Sequence, residues 1–151
     1  MSRLQRAGAI VDELGGAGDF VDAVNGYRDV EERAAEATEA RAMAMYEAHV
    51  SGGMSKSAIA RELGYSTPTV HGILRRRGGR KVPVRNAGYD YTKAMVLAEQ
   101  KMVQLEEQRR AAKRTRDTQA RIATRNGMSL SQAAKMAGMA RSSMSEILHG
   151  K

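Results

Sequence analysis

The 151-residue chain contains no cysteine, two prolines, one phenylalanine and no tryptophan. The absence of cysteine excludes a disulfide-stabilised scaffold and any zinc, haem or iron–sulfur site built on thiolates. Because aromatic residues make up only 4% of the chain, its core must be built from aliphatic residues and the ten methionines. No apolar run approaches the roughly 20 residues that span a bilayer, and the first residues lack the apolar stretch of a signal peptide. These absences predict a cytoplasmic protein with no membrane segment.

The scarcity of proline and the lack of alternating β-branched runs predict an all-α fold. The predicted N-terminal elements are a short helix over residues 2–14, a brief turn from Asp19 to Gly26, and a helix from Asp29 to about residue 49. Glycines at 15, 16 and 18 separate the first helix from the turn, since clustered glycines interrupt helices.

A long helix is predicted over residues 92–125, a stretch without glycine or proline. At about 1.5 Å per residue it spans about 50 Å. Its first half carries an apolar stripe from Met95 to Leu105, predicted to pack on the N-terminal part or, alternatively, to form a short dimer contact. Its second half lacks large apolar residues from 106 to 119 and is expected to cross solvent.

Charge is unevenly distributed along the chain. Residues 1–50 contain ten acidic and five basic side chains, whereas residues 51–151 contain seven acidic and twenty basic ones, for a net charge of +8. A strongly basic region favours a polyanionic partner, most often nucleic acid. The acidic N-terminal region is expected to support the part that follows it, or alternatively to dock a partner protein.

Residues 75–85 carry six bases and no acid, interrupted by Gly78, Gly79 and Pro83. This composition predicts an exposed linker. It acts either as a solvated tether or as an arm in the DNA minor groove, where narrow-groove potential attracts arginine.

The chain contains an internal repeat with an offset of 74 residues. Residues 53–77 align with residues 127–151 at eight identical positions, among them Gly64 with Gly138 and Leu74 with Leu148. Each copy predicts a helix, a turn at the central glycine and a second helix, because glycine leaves a helix through a left-handed conformation. In the second copy Ala140 replaces the capping Ser66, so its second helix is expected to start at Ser142.

Both copies resemble the helix-turn-helix motif of bacterial and phage DNA-binding proteins, in their small residue, turn glycine and spaced apolar residues. The resemblance implies that the second helix of each copy enters the major groove. The implied candidates for contacts with base edges are Ser66, Thr67, Thr69, His71, Arg141, Ser142, Ser143, Ser145 and Glu146. The candidates for phosphate or minor-groove contacts are Lys56, Arg75, Arg76, Arg77, Arg80, Lys81, Arg85, Arg114, Arg121 and Arg125.

Arg141 is the first choice for base recognition, because a guanidinium can pair bidentately with guanine. A phosphate contact is the alternative for Arg141, and helix capping is the alternative for Ser66, Ser142 and Ser143. The three histidines are far apart and lack carboxylates at metal-ligand spacing, so neither a metal site nor a catalytic site is predicted. No cofactor, small-molecule ligand or membrane partner is expected, and the protein is not expected to be an enzyme.

The whole chain resembles the immunity repressors of temperate actinobacteriophages, on its size, its charge and its tandem motifs. This resemblance implies a largely monomeric repressor, with a weak dimer as the alternative, that binds a long asymmetric operator in double-stranded DNA and blocks transcription in the bacterial host. The expected domains are residues 1–78 with the first motif at about 55–76, a linker at 79–90, a connecting helix at 91–119 and the second motif at 120–151. A recognition module of a transposase or recombinase and a non-specific architectural protein remain alternatives.

Overall fold

The computed structural model describes residues 18–150 of the chain. These residues form six helices and no strand, so the fold class is all-α, as predicted. The helices are α1 (Gly18–Val50), α2 (Lys56–Leu63), α3 (Thr67–Arg75), α4 (Tyr91–Arg125), α5 (Leu130–Ala137) and α6 (Arg141–His149). The helix predicted over residues 2–14 lies outside the described residues.

The internal repeat is present in the structure as two pairs of short helices. We call α2 and α3 the first pair, and α5 and α6 the second pair. Helices of eight and nine residues occur in the same order in both pairs, and each boundary of the second pair lies 74 residues after its counterpart. The second pair therefore keeps the register of the first, and α6 begins at Arg141 and not, as predicted, at Ser142.

The turn within each pair depends on its glycine. Gly64 has φ 75° and ψ 28°, and Gly138 has φ 70° and ψ 33°. This left-handed conformation is unfavourable for residues with a Cβ. In both pairs the next residue donates its N–H to a carbonyl in the preceding helix: Tyr65 to Ala60 at 2.9 Å, and Met139 to Ala134 at 3.0 Å. Such bonds end a helix abruptly and allow the next one to start within a few residues.

Serine side chains cap the first helix of each pair. The Ser55 hydroxyl accepts the N–H of Ala58, and the Ser129 hydroxyl accepts the N–H of Gln132. The Gln132 side chain in turn accepts the N–H of Ser129 at 2.9 Å, which completes a capping box.

The described chain divides into two compact units. The central unit is Arg33–Glu106, and the terminal unit combines residues 18–32 with residues 107–150. Each unit contains a pair, the end of the long helix that precedes it, and a segment of the other long helix. This division differs from the predicted domains, because both long helices contribute to both units.

Small and flexible side chains fill the core of the central unit. Its buried cluster comprises Met45, Ala48, Ile59, Ala60, Val70, Leu74 and Met95. A smaller cluster joins Ala34, Ala37 and Leu105, with Met102 packed against it. The apolar stripe from Met95 to Leu105 therefore packs against residues of α1 within this unit, as predicted. Its buried residues are not available for the alternative dimer contact.

The core of the terminal unit corrects two predictions. Its buried cluster comprises Phe20, Val24, Ala120, Ala123, Met128, Ala133, Ala134, Met136 and Met144. The second half of α4 therefore does not cross solvent, because the small side chains of Ala120 and Ala123 pack in one cluster with Phe20. The first residues of α1 likewise support the second pair, whereas the sequence places the N-terminal region with the first.

α1 is continuous from Gly18 to Val50, so the predicted turn closed by Gly26 and the new helix start at Asp29 are wrong. A glycine in a helix interior costs only about 1 kcal/mol. Complete burial of the Phe20 and Val24 side chains stabilises the helix by more than that amount.

None of the helices in the described part of the chain combines the length and apolar character that a membrane span requires.

Replacement of Gly26 and of Gly52 by alanine should change the stability of the protein in opposite directions. An added Cβ at Gly26 meets no atom within 4 Å, so Gly26→Ala should raise the free energy of unfolding by about 0.5–1 kcal/mol. At Gly52 a Cβ would lie 2.6 Å from the Ala48 carbonyl oxygen and 2.9 Å from Tyr91 Cγ, so Gly52→Ala should destabilise the protein. Urea denaturation measures both variants, and a loss of stability in Gly26→Ala would contradict the helix described above.

Candidate nucleic-acid interface

The outward face of α3 lies opposite its two buried residues, Val70 and Leu74. At 100° per residue, the opposite side of the helix carries Gly72 and Arg75, and His71 lies at its edge. His71 and Arg75 are exposed, and so are the predicted candidates Thr67, Thr69 and Arg76. The packing of α3 therefore presents a face with a donor or acceptor, a glycine and a cation to solvent.

Ser66 and Thr69 are engaged with each other at the start of α3. The Ser66 hydroxyl accepts the N–H of Thr69 at 3.3 Å and lies 2.7 Å from the Thr69 hydroxyl. This is the capping arrangement that the sequence offers as the alternative for Ser66. It leaves Thr67, His71 and the basic residues as the better-placed candidates on α3.

Lys56 and His71 are brought together across the first pair. The ammonium nitrogen of Lys56, at the first position of α2, lies 2.7 Å from Nδ1 of His71 on α3. The two residues are predicted separately, as a phosphate contact and a base contact. The structure makes them neighbours on one exposed side of the pair.

Gly72 is a position that the sequence analysis missed. It lies inside α3, is half-buried, and an added Cβ would meet no atom within 4 Å. Neither backbone conformation nor packing requires glycine here, although glycine weakens a helix. A glycine within a helical pattern is the sequence signal that could have found it.

The outward face of α6 has different chemistry. Met144 is fully buried, whereas Arg141, Ser142, Ser143 and Glu146 are exposed. Ser145 is half-buried. The N-cap residue of α6 is Ala140, which makes no side-chain capping hydrogen bond. Ser142 and Ser143 lie inside the helix, so the capping alternative for these two serines is wrong.

The basic segment between the first pair and α4 is bound to α1. Arg77 makes two hydrogen bonds with the Glu39 carboxylate, at 3.1 and 2.5 Å, and Arg80 reaches the same carboxylate at 2.6 Å. Arg85 binds Glu47 at 2.6 and 3.3 Å. Most of the segment is exposed, as predicted, but the alternative of a solvated tether is wrong, because three of its arginines are paired with carboxylates of α1.

Two further contacts hold this segment. The Gly79 N–H donates to the Tyr46 hydroxyl at 3.2 Å, and the Arg85 guanidinium lies 4.6 Å from the centre of the Tyr89 ring. The hydrogen bond from Arg77 lowers the pKa of the Glu39 carboxyl. Glu39 therefore keeps its negative charge at neutral pH. Arg75, Arg76 and Lys81 are exposed bases of this region that take no part in these ion pairs.

The bases of α4 have unlike surroundings. Arg116 is buried, binds Asp117 at 2.9 Å and lies 4.4 Å from the centre of the Tyr27 ring, so it belongs to the core of the terminal unit. Arg121 is exposed and donates to the Ile147 carbonyl at 3.2 Å. Arg114 and Arg125 are exposed candidates for phosphate contacts.

A partly buried polar cluster anchors the turn of the first pair. Tyr65, the residue after the turn glycine, donates to the Glu99 carboxylate of α4 and accepts from Arg41 of α1 at 3.1 Å. Arg41 also lies 3.6 Å from Glu99 and 5.5 Å from the centre of the Tyr65 ring. Burial, together with the hydrogen bond to Glu99, raises the pKa of Tyr65 above its ordinary value. The second pair has Met139 at the equivalent position and no such polar anchor there.

Within residues 18–150, no group of three or more histidine, aspartate or glutamate side chains is arranged to hold a metal ion. The chemistry of the exposed faces is that of hydrogen-bond donors, acceptors and fixed positive charge.

The Tyr65 cluster predicts a specific loss of stability. Tyr65→Phe removes the hydroxyl that hydrogen-bonds to both Arg41 and Glu99 in this partly buried cluster, so the free energy of unfolding should fall by about 1–3 kcal/mol at pH 7. Tyr46→Phe removes a more exposed hydroxyl and should have a smaller effect. Urea denaturation measures both, and equal effects would contradict the anchoring role.

The loss of stability in Tyr65→Phe relative to wild type should depend on pH. The pKa of Tyr65 is higher in the folded than in the unfolded protein. The stabilisation that its hydroxyl provides is therefore fully present below the pKa of the unfolded state, near 10, and is lost as the pH rises through the pKa of the folded state. The stability difference between wild type and Tyr65→Phe should therefore narrow above pH 10.

Comparison of the chain with protein-family models, with curated proteins and with solved structures finds no match. The case for a function therefore rests on the residues and on the geometry that surrounds them.

Proposed function

We propose that the protein is a sequence-specific transcriptional repressor that binds double-stranded DNA through two different helix-turn-helix motifs. The first and second pairs are the motifs, and α3 and α6 are their recognition helices. The observation that carries the proposal is the exact correspondence of the two pairs in boundaries and turns, combined with different residues on their outward faces.

The contrast between inward and outward positions favours recognition over a purely structural duplication. Inward positions keep their apolar character, as in Val70 and Met144, both fully buried. Outward positions diverge, with His71 replaced by Ser145 and Gly72 replaced by Glu146. Repeats that serve only to pack have no need for such divergence on one face alone.

Charge supports DNA as the partner. The chain has a net charge of +8, and its acidic residues are concentrated in α1, where Glu39 and Glu47 pair with arginines. Exposed bases remain close to α3 at Arg75 and Arg76. Such bases bind phosphates and supply most of the affinity of a protein for DNA.

The outward side chains of α6 suit direct recognition of bases. Arg141 is exposed at the first position of the helix and can donate two hydrogen bonds to guanine O6 and N7. Glu146, five residues further on and also exposed, can accept from cytosine N4. A carboxylate on this face opposes non-specific binding to phosphates, which favours a specific repressor over an architectural protein.

Two different recognition helices on one chain favour an asymmetric operator bound by a monomer. A symmetric dimer with a single motif requires a palindrome, because each half-site meets the same helix. A repressor of this kind acts by occupying a promoter and excluding polymerase, as the resemblance to phage immunity repressors implies.

Selection of bound sequences from random duplex DNA at physiological salt tests the proposal. A single long asymmetric motif is the expected result, and Arg141→Ala should relax the preference at one base pair and cost about 1–3 kcal/mol. Uniform weakening on all duplexes would instead make Arg141 a phosphate contact. A palindrome would indicate a dimer, and no enrichment at all would overturn the sequence-specific function.

Gly72→Ala separates a role in binding from a role in folding. Since a Cβ at Gly72 has free space in the unbound protein, the variant should gain about 0.5–1 kcal/mol of stability. It should nevertheless bind the selected duplex at least several-fold more weakly, because the methyl group blocks close approach of α3 to the groove. Gly26→Ala changes a helix-interior glycine of the terminal unit, and it should gain stability and bind like wild type. Equal binding by both variants would remove Gly72 from the interface.

Glu39→Gln tests whether the paired arginines can contact DNA. The substitution releases Arg77 and Arg80, so binding to random duplex should strengthen and its salt dependence should steepen by about one to two phosphate contacts. Glu36→Gln removes the same charge from an exposed position of α1 three residues earlier. The same change in both variants would mean that the basic segment stays away from DNA.

A further inference from the structure

We propose that Lys56 holds His71 in the tautomer with its proton on Nε2, so that α3 presents a hydrogen-bond donor that selects guanine in the major groove. The inference rests on the proposed function, since it names the base that one outward residue of α3 recognises. It makes Lys56 a positioning residue and His71 a specificity-determining one.

The tautomer follows from the donors and acceptors involved. A lysine ammonium group has three hydrogen-bond donors and no acceptor. Its nitrogen lies 2.7 Å from Nδ1 of His71, so Nδ1 must accept the hydrogen bond through its lone pair. A neutral imidazole that accepts at Nδ1 carries its proton on Nε2. The free edge of His71 is therefore a donor and not an acceptor.

His49 provides the opposite case in the same unit. Its Nδ1 lies 2.7 Å from the carbonyl oxygen of Met54, which can only accept. Nδ1 of His49 must therefore carry a proton. Nδ1 faces an acceptor in His49 and a donor in His71. His49 is therefore an internal reference for the opposite tautomer.

The position of Lys56 is not explained by the stability of α2. A cation at the first position of a helix adjoins the positive end of the helix dipole and is unfavourable there. The equivalent residue in the second pair, Leu130, carries no charge. The contact with His71 gives the charge at this position a role that helix formation does not.

The second pair lacks both members of this contact. Leu130 and Ser145 occupy the positions of Lys56 and His71, and a serine hydroxyl can donate or accept as its rotation allows. A fixed donor is thus confined to α3. At this position α3 therefore requires a hydrogen-bond acceptor from its partner, whereas α6 can bind a donor or an acceptor.

Guanine is the base that a fixed donor favours most. In the major groove guanine offers two adjacent acceptors, N7 and O6, whereas the edge of cytosine offers only the N4 donor group. Adenine combines one acceptor with one donor, and thymine offers a single acceptor, O4, beside its methyl group. His71 is exposed, and Arg75 follows one turn later on the same face, where it can bind the neighbouring phosphate.

Nitrogen NMR of the full-length free protein at pH 8 tests the tautomer without DNA. His71 should show the Nε2–H form, and His49 the Nδ1–H form. In Lys56→Met, which keeps an unbranched side chain but removes the donor, His71 should become a mixture of tautomers while His49 is unchanged. Lys56→Arg, which again has only donors, should restore the Nε2–H form. The same tautomer ratio of His71 in wild type and Lys56→Met would overturn the role of Lys56.

Selection from random duplex DNA tests the base preference. The wild-type motif should contain a guanine whose preference falls roughly three- to tenfold in Lys56→Met, the contribution of one hydrogen bond. Lys135→Met removes an equal charge from an exposed position of α5 and should leave that guanine unchanged. A selected motif in which Lys56→Met changes no position would overturn the selectivity. No selected motif, with the His71 tautomer as expected, would overturn the proposed function itself and the base preference with it.

Discussion

Helices of eight or nine residues are too short to be stable by themselves, and this constraint governs the organisation of the chain. Isolated helices shorter than about 12–15 residues are marginal in water even when their sequences favour helix formation. Each pair must therefore bury its apolar side on something larger. The long helices provide that surface, through Met45 and Met95 in the central unit and through Phe20 and Ala123 in the terminal unit. A compact motif with an exposed second helix results in both units.

The two pairs differ most in how they are anchored and in what surrounds them. Tyr65 ties the turn of the first pair to both long helices through Arg41 and Glu99, whereas Met139 leaves the second pair to depend on apolar packing. Methionine fills irregular space well but specifies its surroundings less strictly than a hydrogen-bonded tyrosine. The second pair is therefore held mainly by the burial of alanine and methionine side chains.

Acidic residues of α1 determine which bases are available to a partner. A count of arginines in residues 75–85 suggests a uniformly basic arm, yet Glu39 and Glu47 pair with Arg77, Arg80 and Arg85. The pair made by Arg80 is exposed, whereas Arg77 and Glu47 are largely buried in theirs. The main effect of these ion pairs is on position, because they hold the segment along α1 and leave the bases at the end of α3 exposed.

The amino-acid sequence by itself determined the two pairs, including the order of their helices, the turn glycines and the spaced apolar residues. These features depend on neighbours within a few positions, so patterns over about twenty residues are sufficient to find them. Only the tertiary structure decided that Gly26 lies within a continuous helix, that Phe20 supports the second pair, and which arginines are paired. Each of these outcomes depends on contacts between residues tens of positions apart, such as the hydrogen bond from Arg28 to the Met136 carbonyl. Local propensity carries no information about such partners, because a buried contact can outweigh the preference of a single residue.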